Sequence, residues 1–123
     1  MQRVTGIGGF FFRARDPDAL AIWYQDRLGV ETAPKSYGGS VWRQQEGATV
    51  FAPFQQDSEM IGPPEHTWMI NFRVDDLDAI VDQLRSAGET VEVNPERYPN
   101  GLFAELADPE GNRIQLWQPM GPA

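Results

Sequence analysis

The sequence contains no cysteine, only one histidine and no long apolar run. Without cysteine the chain has neither a disulfide framework nor thiolate chemistry. The lone histidine, His66, gives no indication of a Ser–His–Asp arrangement. No stretch approaches the roughly 20 apolar residues of a membrane-spanning helix, and residues 1–4 lack the apolar segment of a secretory signal. We therefore expect a cytoplasmic protein that does not contact membranes.

Basic residues are also few: ten against eighteen acidic ones, for a formal charge of -8. Such a field disfavours nucleic acid and anionic membranes and mildly favours a cationic ligand. A simpler interpretation is that the acidic charge only keeps a small domain soluble. Aromatic residues, in contrast, are plentiful, with seven Phe, four Trp and three Tyr. They predict a core, a pocket or an interface rich in flat apolar surface.

An internal repeat organises the chain. Residues 12–20 read FRARDPDAL, and residues 72–80, 60 positions later, read FRVDDLDAI. Each copy begins with the alternation of a strand and passes directly into an amphipathic helix. The repeat predicts a first module over about residues 1–54, a linker over about 55–67 and a second module over about 68–119. Modules of this size cannot each bury a sufficient core, so we expect one domain.

The helix signals agree in the two copies. Asp16 and Asp76 are expected N-caps, Pro17 suits a first helical position, and Gly29 and Gly88 suit the C-terminal ends. The apolar stripes of the two helices are Leu20, Trp23, Tyr24 and Leu28, then Leu77, Ile80, Val81, Leu84 and Ala87. Further strands are predicted over residues 40–45, 49–54, 90–93, 102–106 and 113–118, with turns at 46–47 and 108–112.

These features resemble the vicinal oxygen chelate superfamily, which includes glyoxalase I, extradiol dioxygenases, bleomycin-resistance proteins and fosfomycin-resistance enzymes. Residues 12–29, 72–88 and 108–116 carry the resemblance. It implies an α+β fold in which two tandem βαβββ modules form one glyoxalase-like domain around a concave mixed sheet. It also implies a homodimer, because the superfamily commonly dimerises. The fold alone does not identify a reaction, since lyases, oxygenases, transferases and binding proteins share it.

Metal-using members of this superfamily take one ligand from the first strand and one from the last strand of each module. The matching positions here are Gly9, Phe51, Met69 and Gln115. Glycine and phenylalanine offer no ligand atom, methionine is a soft donor, and glutamine is a weak neutral one. We therefore expect no metal and no other cofactor. We expect His66, three positions before Met69, to be a hydrogen-bonded surface residue.

Strand alternation predicts which side chains line the cavity between the modules. Phe10, Phe12 and Ala14 in one module, and Ile70, Phe72 and Val74 in the other, should pack toward the helices. The opposite face should line a small-molecule cavity. Its predicted ligand-binding residues are Phe11, Arg13, Phe51, Met69, Asn71, Arg73, Phe103, Gln115 and Trp117. The alternative is that the cavity has collapsed and its aromatic residues form core.

Glu105 is the carboxylate placed in this cavity. It could act as a general base with a raised pKa, or it could form a structural ion pair with Arg13 or Arg73. The favoured function is a metal-independent small-molecule-binding protein, resembling the drug-sequestering bleomycin-resistance type. One alternative is a glyoxalase-like lyase or a dioxygenase that uses Glu105 or a weak metal site at Gln115. Another is a scaffold with a vestigial cavity.

Overall fold

The fold contains two helices and one four-stranded sheet, seen in a computed structural model that describes residues 1–33, 37–39 and 41–120. The sheet has the order β1-β4-β3-β2, with β1 parallel to β4 and the other neighbours antiparallel. This arrangement confirms the predicted α+β class and mixed sheet. The elements are α1 (Pro17–Leu28), β1 (Ile70–Arg73), α2 (Leu77–Ser86), β2 (Glu92–Val93), β3 (Gly101–Ala107) and β4 (Arg113–Pro119).

Both helices begin at the predicted caps. An Oδ1 atom accepts a hydrogen bond from the N–H three residues ahead in each case, Asp16 from Ala19 and Asp76 from Ala79, both at 3.1 Å. At the other end of α1, Gly29 has φ 70°, a left-handed conformation that suits glycine. The repeat therefore encodes the same helix start twice. Neither described helix has the length and apolar character needed to cross a membrane.

The core lies between the helices and one face of the sheet. Alternate residues of the central strands, such as Ala104, Ile114 and Leu116, are fully buried there against Leu77 and Leu84. The helix α1 adds Leu20 and Tyr24 to this cluster, and the predicted helix-facing residues Ala14, Ile70, Phe72 and Val74 pack against it. The period-two alternation of the second module thus has the predicted direction.

The strands predicted in the first module are absent from its described residues, which contain α1 as their only regular element. This corrects the prediction for residues 9–14, 41–45 and 49–54; Ser40, the start of one predicted strand, lies outside the described residues. The first two of these segments contact the rest of the protein through rings: the ring centroids of Phe12 and Tyr24 are 6.3 Å apart, and those of Trp42 and Phe72 are 6.4 Å apart. Alternation of apolar and polar residues indicates only that one face of a segment is covered. A β-strand also requires a neighbouring strand to which its backbone can hydrogen-bond.

A buried carboxylate joins α1 to the turn between β3 and β4. Asp108 is only 4 % exposed, and it accepts hydrogen bonds from the Tyr24 hydroxyl at 2.7 Å and the Asn112 side chain at 2.8 Å. It also accepts from the backbone N–H groups of Glu110 and Asn112. In turn, the Glu110 carboxylate accepts from the N–H groups of Arg15 and Asp16, beside the start of α1. The predicted turn therefore holds the start of α1 against the β3–β4 hairpin through these hydrogen bonds.

The hydrogen bond from Tyr24 to Asp108 leads to a prediction about stability. Tyr24→Phe removes a donor from a buried carboxylate and should lower the free energy of unfolding by about 1–3 kcal/mol at pH 7. Burial and the Asp108 carboxylate raise the pKa of Tyr24. Above pH 10 the unfolded chain therefore loses a phenolic proton that the folded protein keeps. Wild-type stability should fall there by up to about 1.4 kcal/mol per pH unit.

Chemical denaturation between pH 7 and pH 11 measures both effects. Tyr37→Phe is the matched control, because Tyr37 is fully exposed. Tyr24→Phe should show a smaller loss of stability above pH 10 than the wild type and the control. Equal stability of Tyr24→Phe and wild type at pH 7, with the same decline at high pH, would contradict the role assigned to this hydroxyl.

Candidate functional site

The face of the sheet that points away from the helices carries six of the side chains predicted to surround the cavity. Strand pairing arranges them in two rows. One row runs Asn71, Gln115 and Glu105, and the other runs Arg73, Trp117 and Phe103. We call this surface the open face. It forms because each of these residues follows or precedes a core residue on the same strand.

The second row contains the aromatic part of the open face. The rings of Phe103 and Trp117 are nearly parallel, at 5°, with centroids 6.3 Å apart, and Tyr98 meets Phe103 edge-on. The indole N–H of Trp117 donates to the Asn100 carbonyl at 2.9 Å, which fixes the ring plane. Trp117 is only 7 % exposed although it lies on this face. Phe103 and Tyr98 are the more accessible rings and offer apolar surface for stacking, whereas the Trp117 ring is covered.

The first row is polar. The Asn71 amide donates to Gln115 Oε1 at 2.7 Å, so the two amides form a pair across β1 and β4. Beside them, Glu105 lies 3.8 Å from Arg113, and its side chain is 34 % exposed. Its partner is therefore Arg113, and the predicted pairing with Arg13 or Arg73 is wrong. An ion pair this exposed contributes little to stability and leaves the carboxylate accessible.

The two arginines of the open face bind backbone carbonyls from earlier in the chain. Arg73 donates to the carbonyl of Gln45 at 2.9 Å, and Arg113 donates to the carbonyl of Met60 at 2.9 Å. The guanidinium of Arg73 also occupies the space where a side chain at position 47 would begin, so this contact requires glycine there unless the guanidinium moves. Sequence reasoning missed these contacts. The one indication in the sequence was the glycine at position 47, which allows another group to approach the backbone closely.

The first module contributes less to the open face than predicted. Phe11 is 93 % exposed and Phe51 is 87 % exposed, so neither lines an enclosed cavity within one chain. The Phe11 ring packs instead beside Gly9. Arg13 borders a separate groove of about 400 Å³ with Ala14, Arg15, Glu110 and Asn112. Alternation could not predict these positions because the segments do not join the sheet.

Two further predicted positions lie close to the sheet. Met69 is half-buried immediately before β1, and His66 is half-buried in the linker with its N–H donating to the Pro63 carbonyl. The imidazole of His66 lies beside Gly62. Hydrogen bonding by the His66 imidazole stays a prediction.

The residues at the four ligand positions do not fit a divalent metal ion. Gly9 and Phe51 supply no donor, Met69 supplies a soft thioether, and the Gln115 oxygen already accepts from Asn71. Across the described parts of the chain, no group of three His, Cys, Asp or Glu side chains could hold a metal ion. Hard divalent ions require several oxygen or imidazole donors. The absence of a metal or other cofactor stays a prediction.

Comparison with known families supports the resemblance noted from the sequence. The model of the Glyoxalase/Bleomycin resistance protein/Dioxygenase superfamily matches residues 6–116. The glyoxylase-type protein CFP32 of Mycobacterium tuberculosis, and that of Mycobacterium bovis, are 29 % identical over 105 residues. The match covers 84 % of this chain but only 40 % of those relatives, so the chain spans less than half of their length.

Solved structures share the fold at low sequence identity. TnmS3, an antibiotic binding protein from Streptomyces sp. CB03234, superposes with a TM-score of 0.65 at 20 % identity, covering 98 % of this chain and all of that one. Lactoylglutathione lyase from Agrobacterium tumefaciens gives 0.59 at 23 % identity, covering 94 % and 95 %. At these identities the likeness establishes the glyoxalase-like fold and not a shared activity.

Proposed function

Because this chain belongs to the glyoxalase/bleomycin resistance protein/dioxygenase superfamily, we propose that it binds a small molecule on the open face without a metal ion. The observation that carries the proposal is the parallel pair Phe103 and Trp117 beside the amide pair Asn71 and Gln115. Flat apolar surface with a few orienting polar groups is the composition of ligand sites. TnmS3, which shares the fold, is an antibiotic binding protein.

The net charge of the chain, together with the engaged arginines of the open face, favours a planar ligand that is neutral or cationic. Arg73 and Arg113 are engaged by backbone carbonyls, and Glu105 is accessible beside the amide pair. The net charge of -8 adds a field that attracts cations. A cation with an aromatic ring can stack on Phe103 and gain a cation–π contribution.

A comparison of planar dyes tests the proposal. The wild type should bind the cation proflavine more tightly than the anion 1-anilinonaphthalene-8-sulfonate, measured by fluorescence titration. Phe103→Ala should weaken proflavine binding by about 2- to 10-fold, the range expected when an aromatic pair contributes about 0.5–1.5 kcal/mol.

The control for this titration is Tyr37→Ala, which removes a fully exposed aromatic ring that is not part of the sheet and should leave the affinity unchanged. Proflavine bound equally well by Phe103→Ala and wild type would place the ligand elsewhere. Lack of any binding would favour a scaffold with a vestigial cavity.

The second candidate function is a lyase or dioxygenase, and the accessible carboxylate of Glu105 beside Gln115 favours it. Either reaction in this superfamily would draw on Glu105 as a base or on a metal. We expect protein purified without chelators to hold only substoichiometric divalent metal, measured by elemental analysis, because the donor set lacks hard ligands.

As a control for the metal measurement, chelator treatment should leave the proflavine affinity of the wild type unchanged. One equivalent of divalent ion per chain, lost on chelation together with dye binding, would overturn metal independence and favour the enzyme.

We also propose that the protein is a homodimer in the cytoplasm. A monomer exposes Phe11 and Phe51 almost completely, and exposed aromatic residues of this size are characteristic of interfaces. The outer edge of β1 has no paired strand within the described residues, because β1 ends the sheet order. The cytoplasmic location rests on the cysteine-free composition.

Light scattering tests the dimer. At micromolar concentration the wild type should have twice the 13.8 kDa mass of the chain. Phe51→Glu should shift it toward the monomer, because burying a carboxylate in an apolar interface is costly. Tyr37→Glu changes another exposed aromatic residue in the same way and should remain dimeric. A monomeric wild type would contradict the proposal.

A further inference from the structure

Arg73 connects the two halves of the chain at the edge of the open face. It is the last residue of β1, and its Nη2 donates to the carbonyl of Gln45, 28 residues earlier, at 2.9 Å. A Cβ added at Gly47 would overlap the guanidinium, so the turn formed by residues 45–47 lies directly on it. The contact thus depends on an arginine at one position and on the absence of a side chain at the other.

The position of this contact relates it to the aromatic row. Arg73 is the cross-strand partner of Trp117, and Phe103 is the partner of Trp117 on the opposite side. Trp117 therefore lies between Phe103 and the arginine that carries the turn. Its exposure of 7 % shows that it is covered on a face that no helix packs against. On the side opposite Phe103, its neighbour on the sheet is Arg73, whose guanidinium holds the 45–47 turn.

We propose that Arg73 is a positioning residue and that it and Gly47 together determine which ligands fit the open face. Arg73 holds the 45–47 turn beside Trp117 as a wall of the ligand site, and Gly47 allows the wall to lie this close. The inference rests on the proposed binding function and adds a specificity determinant to it. The ligand is a planar molecule whose width is limited on the Trp117 side by this wall.

The chemistry of the contact provides a variant that should fold. The atom that a methyl group at position 47 would meet most closely is Arg73 Nη1, the free end of a flexible side chain. Gly47→Ala should therefore displace the guanidinium, not the sheet. It should break the bond to the Gln45 carbonyl at little cost in stability. Gly8→Ala is the matched control, because a Cβ there meets nothing within 4 Å.

Two neutral planar dyes of different width test the wall. Nile red has four fused rings and prodan has two, and fluorescence titration gives a Kd for each. In Gly47→Ala and in Arg73→Met, the ratio of the prodan Kd to the Nile red Kd should rise about fivefold, since a displaced wall admits the wider dye. Arg73→Lys retains one donor for the Gln45 carbonyl and should give a smaller change. Gly8→Ala should keep the wild-type ratio.

A second measurement needs no dye. The chain has four Trp residues, so 5-fluorotryptophan labelling should give four ¹⁹F NMR signals, with Trp117 assigned through Trp117→Phe. The Trp117 signal should shift in Gly47→Ala and in Arg73→Met, while the Trp23 signal, whose N–H donates to Glu89, should not. Gly8→Ala should leave both signals in place.

The outcomes separate this inference from the binding function on which it rests. A wild type that binds both dyes, with the same Kd ratio in Gly47→Ala and Arg73→Met, would overturn the wall while leaving the binding function intact. A wild type that binds neither dye would overturn both. A Trp117 signal unchanged in both variants would also overturn the wall, whatever the dyes show.

Discussion

The buried carboxylate of Asp108 constrains the arrangement of α1, β3 and β4. A charge removed from water must have its oxygens fully hydrogen-bonded, or the folded state loses several kcal/mol. Glu110 and Asn112 supply three donors from the turn that follows β3. Tyr24 supplies the fourth donor from α1. The carboxylate therefore closes the β3–β4 hairpin and places the first helix at the same time.

The two faces of the β3–β4 hairpin differ: one carries core residues and the other carries residues of the open face. Along β4, Ile114 and Leu116 are fully buried against the helices, while Gln115 and Trp117 lie on the open face. Gln115 is thus held between two core residues and Trp117 follows one, which gives a rigid support. Two contacts reach this face from earlier in the chain: Arg73 and Arg113 donate to the backbone carbonyls of Gln45 and Met60.

The chain has the fold of its family without the side chains that usually bind its metal ion. The family match extends over residues 6–116, yet the positions where metal-using members carry ligands hold Gly9, Phe51, Met69 and Gln115. The polar groups of the open face include an amide pair, an accessible carboxylate and two arginines that donate to backbone carbonyls. These groups can orient a bound small molecule by hydrogen bonds. Polarising that molecule through a metal ion would need metal-coordinating side chains, which the four ligand positions do not carry.

The sequence by itself determined both helix starts, because the capping aspartates Asp16 and Asp76 act within three residues. It also determined the two faces of the second module, since the period of a strand is local. Tertiary structure decided the contacts from Glu110 to Arg15 and from Arg73 to Gln45, which join residues 95 and 28 positions apart. It also decided whether residues 9–14 form a strand, because pairing requires a neighbouring strand and alternation only requires one covered face.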